Sequence, residues 1–196
     1  MTNDIDNGRS TNTTGQATQR KILDAAKAML TEHGTDGFSV ERIAQKAGVT
    51  KGTLLYHFKN KNNILRLLTE EYAGHLEERL QLGIDAAKEK WPDHDEVVVG
   101  FIEWYRQFLL EPANYTNYGT LLLQIASTKP DLLEPINRWY ASLFDRLRAT
   151  RLPEEAMFVI LTLEGLFFLK HFHLTVLNAV ETRKLLDRLL ALSVIK

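Results

Sequence analysis

The chain has 196 residues, 44 % of them hydrophobic, which excludes global disorder and suits one medium domain or a small domain joined to a larger one. It has no cysteine, which excludes disulfides, thiolate nucleophiles and cysteine-bound zinc. Lys and Arg number 24 against 25 Asp and Glu, a net charge of −1 that, taken whole, argues against a nucleic-acid binder.

Residues 1–16 are mostly Thr, Asn, Asp, Gly and Ser and are expected to form a flexible arm, without the apolar segment of a secretory signal. With no export signal and no cysteine, a cytoplasmic location is expected. From Gln19 onward, Ile22, Leu23, Ala26, Met29 and Leu30 recur at helical spacing, and Gly34 suits the C′ position. Ser39 is a candidate N-cap for a short helix over 40–47, with Phe38 and Ile43 placed as a hydrophobic staple. Gly48 breaks that helix. Thr50 then caps a second one over 51–57, with Val49 and Leu54 in the staple positions. Two short helices joined by a tight glycine turn outline a helix-turn-helix.

Asn60 is a candidate cap for a long helix over 60–88. Asp93, with Glu96 three residues on, reads as the next restart. Further helices are expected over 94–110, 116–127, 131–149, 154–174 and 181–195, with breaks at Pro112, Pro130, Pro153 and near Asn178. No segment alternates at period two, so the fold class is all-α with about nine helices. The longest apolar run, 156–169, contains Glu164 and is too short to span a bilayer, so no membrane partner is expected.

In 51–59, Leu54 and Phe58 lie four residues apart and share a core-facing side. Lys51, Leu55 and Lys59 share another, with Gly52, Thr53, Tyr56 and His57 beside it. Cations, a hydroxyl and an aromatic on a short helix suit entry into a DNA major groove, and the helix N-terminus favours phosphate. A helical hairpin with a solvated charged face would share the outline. Charge distribution favours DNA: residues 17–65 carry eight basic residues against four acidic, while 66–196 carry fifteen against nineteen.

Residues 19–65 resemble the N-terminal domain of the tetracycline-repressor (TetR) family of bacterial transcription regulators. The residues carrying the resemblance are Ile22-Leu23-x-Ala25-Ala26, Gly34-x-x-Gly37-Phe38-Ser39-Val40, Ile43-Ala44-x-x-Ala47-Gly48-Val49, Lys51-Gly52-Thr53-Leu54 and Tyr56-His57-Phe58-Lys59-Asn60-Lys61. Beyond the arm over 1–16, the resemblance implies a DNA-binding domain over 17–62 and an effector-binding and dimerisation domain over 63–196. It implies a homodimer reading a palindromic operator in double-stranded DNA, with half-sites about 34–36 Å apart. The implied DNA contacts are Ser39, Thr50, Lys51, Gly52, Thr53, Leu55, Tyr56, His57, Lys59 and Lys61. Most relatives carry Tyr where this chain has Leu55. Either Leu55 makes an apolar contact, for example with a thymine methyl, or Tyr56 compensates.

The resemblance also implies a repressor released by a small-molecule effector. The aromatic-rich C-terminal part points to an apolar or aromatic effector, with Trp104, Phe108, Tyr118 and Gln124 as pocket candidates. Its acidic balance leaves room for a cationic ligand over a ring, with no single acid singled out. The helices over 154–174 and 181–195 are apolar on more than one face. That points to a four-helix dimer bundle through Leu161, Gly165, Phe168, Leu185, Leu189 and Leu192, with a monomeric core as the alternative. His171 and His173 point apart on a helix, and Asp93–Glu96 reads as a capped loop, so no metal is expected. No cofactor or enzyme motif is present. The alternatives are a DNA-binding regulator without a small ligand, or a helical carrier or enzyme.

Overall fold

The computed structural model describes residues 7–110, 118–172, 174 and 177–194, without the side chains of 7–13 and His171. Nine α-helices occur among them: α1 Asn7–His33, α2 Val40–Ala47, α3 Lys51–Phe58, α4 Lys61–Lys90, α5 Glu96–Leu110, α6 Tyr118–Ala126, α7 Glu134–Arg148, α8 Pro153–His171 and α9 Ala179–Ala191. A 3-10 turn, Pro130–Leu133, precedes α7. No strand occurs among the described residues, in keeping with the all-α expectation; a single bridge joins His94 and Val194. Pro112 and His173 lie outside the described residues.

Two compact units form. The first takes the chain to Glu70 together with Asn117–Leu133, and the second takes Glu71–Thr116 and Glu134–Lys196. The division differs from the boundary expected at residue 62. Helix α4 runs on without a break and contributes its first turns to one unit and the rest to the other. Helix α6 belongs with the N-terminal helices. Residues 7–16 of the expected arm are the first turns of α1.

In the first unit, α1 buries Ile22, Ala26 and Leu30, and it packs on α2 and α6. Helix α2 starts where Ser39 Oγ accepts from the Arg42 amide. It stops at Gly48, whose φ of +63° is the left-handed conformation that glycine adopts without a Cβ penalty. Its amide donates back to Ala44 and Gln45. Thr50 Oγ1 accepts from the Thr53 amide at 3.0 Å and starts α3. Such caps contribute about 1 kcal/mol each. Asn60 Oδ1 accepts from the Asn63 amide at the start of α4.

The second unit is organised around α5, which buries Val98, Val99, Phe101, Ile102 and Tyr105. Packing around nearly its whole circumference, against α4, α7, α8 and α9, explains so apolar a helix. Its cap is Asp95, not the expected Asp93: Asp95 Oδ1 accepts from the Val97 and Val98 amides. The Asp95 amide donates to the Ser193 carbonyl, and that long-range bond selects Asp95 over its neighbour. Helix α9 begins earlier than expected, at Ala179, because Asn178 and Glu181 form a reciprocal capping box.

Candidate nucleic-acid interface

Within the first unit, α2 and α3 form a packed pair. Leu54 and Phe58, 0 % and 2 % exposed, anchor the inner side of α3, and Ile43, Ala44 and Ala47 anchor α2. Ala44 gives the turn a small residue where the helices close on each other. With the inner side pinned, the outer side presents Lys51, Gly52, Tyr56 and Lys59, all exposed. Tyr56 is 84 % exposed, an unusual placement for a large ring. It contacts the edge of His57 at 5.2 Å, and His57, Thr53 and Leu55 are half-buried.

Some of the expected contact residues are also engaged within the chain. The Thr50 and Thr53 hydroxyls are 2.9 Å apart and hydrogen-bonded to each other. Ser39 Oγ serves as a cap and is half-buried. Lys61 Nζ donates to the Phe38 carbonyl at 3.1 Å and lies 5.5 Å from the centre of the Phe38 ring, so it also ties the start of α4 to the chain entering α2. Lys59 takes φ +56°, a region that costs a side-chain-bearing residue about 1–3 kcal/mol.

One participant was not singled out in the sequence. Glu41, in the first turn of α2, holds Lys51 Nζ at 2.6 Å. The hydrogen bond from Lys51 holds the Glu41 carboxyl below its ordinary range. The pair is exposed, so it adds little to stability, but any phosphate reaching Lys51 meets the Glu41 charge. Glu41→Gln is therefore expected to tighten binding to a DNA duplex several-fold at low salt. Titration of labelled duplex with both proteins checks this, and an unchanged or weakened affinity would contradict it.

The expected pocket residues divide between the units. Trp104 and Phe108, both half-buried on α5, stand in the second. Trp104 meets Phe101, Tyr105 and Trp139 edge-on, and Phe108 packs on Phe167 at 5.2 Å. Tyr118 and Gln124 are on α6 in the first unit, where Lys27 Nζ lies 6.0 Å from the Tyr118 ring centre and Gln124 is exposed. Among the expected dimer residues, Leu161 and Phe168 are exposed on α8 beside Phe158, and Gly165 lies on the same stripe. Leu189 is only 1 % exposed, buried in the core of its own unit, which corrects its assignment to a surface. Leu185 and Leu192 are half-buried against that same core. One turn of α9 cannot face outward and inward together, and α5 claims that face.

Among the described residues, no group of acids and histidines is placed to hold a metal ion, and no helix is long and apolar enough to cross a membrane.

Comparison with known proteins agrees with this geometry. Residues 22–68 match the family model of bacterial regulatory proteins of the tetR family, and residues 100–194 match that of the tetracyclin repressor-like C-terminal domain. The chain is similar to the fatty acid metabolism regulator protein of Bacillus subtilis (strain 168), with 41 % identity over 73 residues, 36 % of this chain and 38 % of that one. It is similar to the class D tetracycline repressor protein of Escherichia coli, with 36 % identity over 73 residues, 37 % of this chain and 32 % of that one. These matches span about a third of the relatives' length. In fold it is similar to the multidrug binding protein EbrR complexed with imidazole, with a TM-score of 0.66 and 20 % identity over 88 % of this chain and 94 % of that one. The protein SCO7518 of Streptomyces coelicolor A3(2) aligns with a TM-score of 0.64 and 23 % identity, covering 90 % of this chain and 98 % of that one.

Proposed function

We propose that this chain, which belongs to the tetR family of bacterial regulatory proteins, is a transcriptional repressor that binds a palindromic operator as a homodimer and leaves it when a small molecule binds. The observation that carries the reading is α3: a short helix with a buried inner side and an outer side of Lys51, Gly52, Tyr56 and Lys59 held open to solvent. Gly52 keeps that side low, since a Cβ there would meet only the Thr50 hydroxyl at 3.7 Å. Lys51 reads a base edge or phosphate, Thr50, Thr53 and Tyr56 reach phosphates or bases nearby, and Lys61 and Ser39 meet the backbone.

The homodimer is supported by the exposed stripe on α8, where Phe158 and Leu161 are each 58 % exposed. A stripe of large apolar side chains is a surface that association covers. The effector carries aromatic or apolar surface and meets the rings of the second unit. Helix α4 carries the signal, because the same continuous helix contributes to both units. Linkage then requires DNA to weaken effector binding by the factor with which the effector weakens DNA binding. The role is regulation rather than catalysis, in the cytoplasm.

Selection of duplexes from a random pool by the purified full chain tests the reading. A palindromic consensus should emerge, bound by two chains, with affinity that falls steeply with salt. Recovery of no preferred sequence would overturn it.

A further inference from the structure

A lone acid interrupts the apolar run of α8. Glu164 is partly buried, with hydroxyls converging on it from other helices. Tyr105 of α5 donates its hydroxyl to Glu164 Oε1 at 2.8 Å, and Tyr140 of α7 donates a second. Tyr72 of α4 is close enough to act electrostatically on both tyrosines. The surrounding wall is aromatic: Tyr105 stacks on Phe101 at 4.7 Å and meets the edges of Trp104, Phe108 and Phe167. Among the described residues, no lysine, arginine or histidine is paired with this carboxyl. The one cation on the same helix near it, Lys170, is committed elsewhere, donating to the Phe108 and Leu109 carbonyls at 2.9 Å each.

An aliphatic side chain would fill this position without the desolvation cost of an acid. Two hydroxyls on the carboxyl serve its ionised form, and aromatic rings of the kind packed around Tyr105 attract a cation through their electron-rich faces. Glu164 as a whole residue is only half-buried. A prepared anion among rings, lacking a cation of its own, fits a counter-ion that arrives from outside.

We propose that Glu164 is the anionic anchor of the effector site, and that the effector is a lipophilic organic cation whose charge meets this carboxylate while its rings pack against those of α5. The assignment rests on the effector reading above and narrows its chemistry. Burial holds the carboxyl above its ordinary range in the free chain, against the two hydroxyls that pull it down. Burial pushes both tyrosine hydroxyls above their ordinary range, so they stay neutral where the Glu164 carboxyl changes charge. A permanent cation prefers the ionised acid. Its affinity is full above the carboxyl's free-state pKa and falls as pH drops through it.

The test uses the full chain and two soluble probes of similar shape, tetraphenylphosphonium and neutral triphenylphosphine oxide, measured by calorimetry. The cation should bind roughly tenfold or more tighter than the oxide near pH 8, and the preference should shrink toward pH 5. Glu164→Gln should abolish the preference and its pH dependence while leaving the oxide affinity within about twofold. Tyr105→Phe, which keeps the carboxyl and removes one donor, should retain the preference. Equal affinities, no binding of the cation, or a preference that survives Glu164→Gln would each overturn the assignment. So would equal losses in the two variants. Operator binding by the same proteins is read separately: a chain that binds its operator but not the cation loses this assignment alone, whereas a chain that selects no operator loses the repressor reading.

Discussion

Gly100→Val is expected to lower the melting temperature of the chain by roughly 5–15 °C. Helices α4 and α5 cross there backbone to backbone. A Cβ on Gly100 would lie 2.6 Å from the Ile84 amide nitrogen and 2.8 Å from its Cα, and one on Gly83 would lie 2.4 Å from the Gly100 carbonyl oxygen. These are main-chain atoms in the middle of two helices, so no rotamer change relieves the overlap. The helices must separate and open the core around Val99, Phe101 and Ile102. Overpacking of this kind costs about 1–3 kcal/mol, and a branched residue against backbone belongs at or above the upper end. Gly74→Ala is the control. Nothing lies within 4 Å of its added Cβ, and alanine favours a helix over glycine by up to about 1 kcal/mol. Circular-dichroism melts of the three proteins decide the matter; a Gly100→Val midpoint within about 2 °C of the parent would show that the crossing is not tight.

Lys51→Ala is expected to lower affinity for the selected operator by about 1–3 kcal/mol while leaving binding to unrelated duplex much less changed, so that specificity relaxes. Lys51 opens α3, on its exposed side and at the end whose amides favour anions. Lys61→Ala should behave differently, weakening binding to all sequences and reducing the slope of log affinity against log salt by about one unit. It should also lower thermal stability, because Lys61 holds the Phe38 carbonyl beside the start of α2. Salt titrations on operator and scrambled duplex separate the roles. Equal slopes for the parent and Lys61→Ala, or a uniform loss for Lys51→Ala, would contradict the assignments.

Much of the reading unit was legible because its signals are local. Ser39, Thr50 and Asn60 each cap through an amide three residues ahead, and Gly48 ends α2 through its own backbone conformation. Leu54 and Phe58 share a side because four residues make about one helical turn. The Asn178 and Glu181 box is just as local and was readable from its spacing. The cap of α5 was not: Asp93 and Asp95 are equivalent by spacing, and the Ser193 carbonyl, far along the chain, chooses between them.

The sequence by itself determined the helical class, the turn between α2 and α3, and a basic reader balanced by an acidic body. Each follows from residues within a turn or two of one another, or from simple counts. Only the tertiary structure decided which apolar side of α9 is spent on its own core, leaving α8 as the outward stripe. It decided that Gly83 and Gly100 meet, while Gly165 has nothing within 4 Å of its added Cβ. It also turned Glu164 from an interruption in an apolar run into the centre of a tyrosine cluster. Those outcomes depend on which helices face each other. Periodicity gives each helix its apolar side, but packing between helices distant in the chain selects the partner of that side.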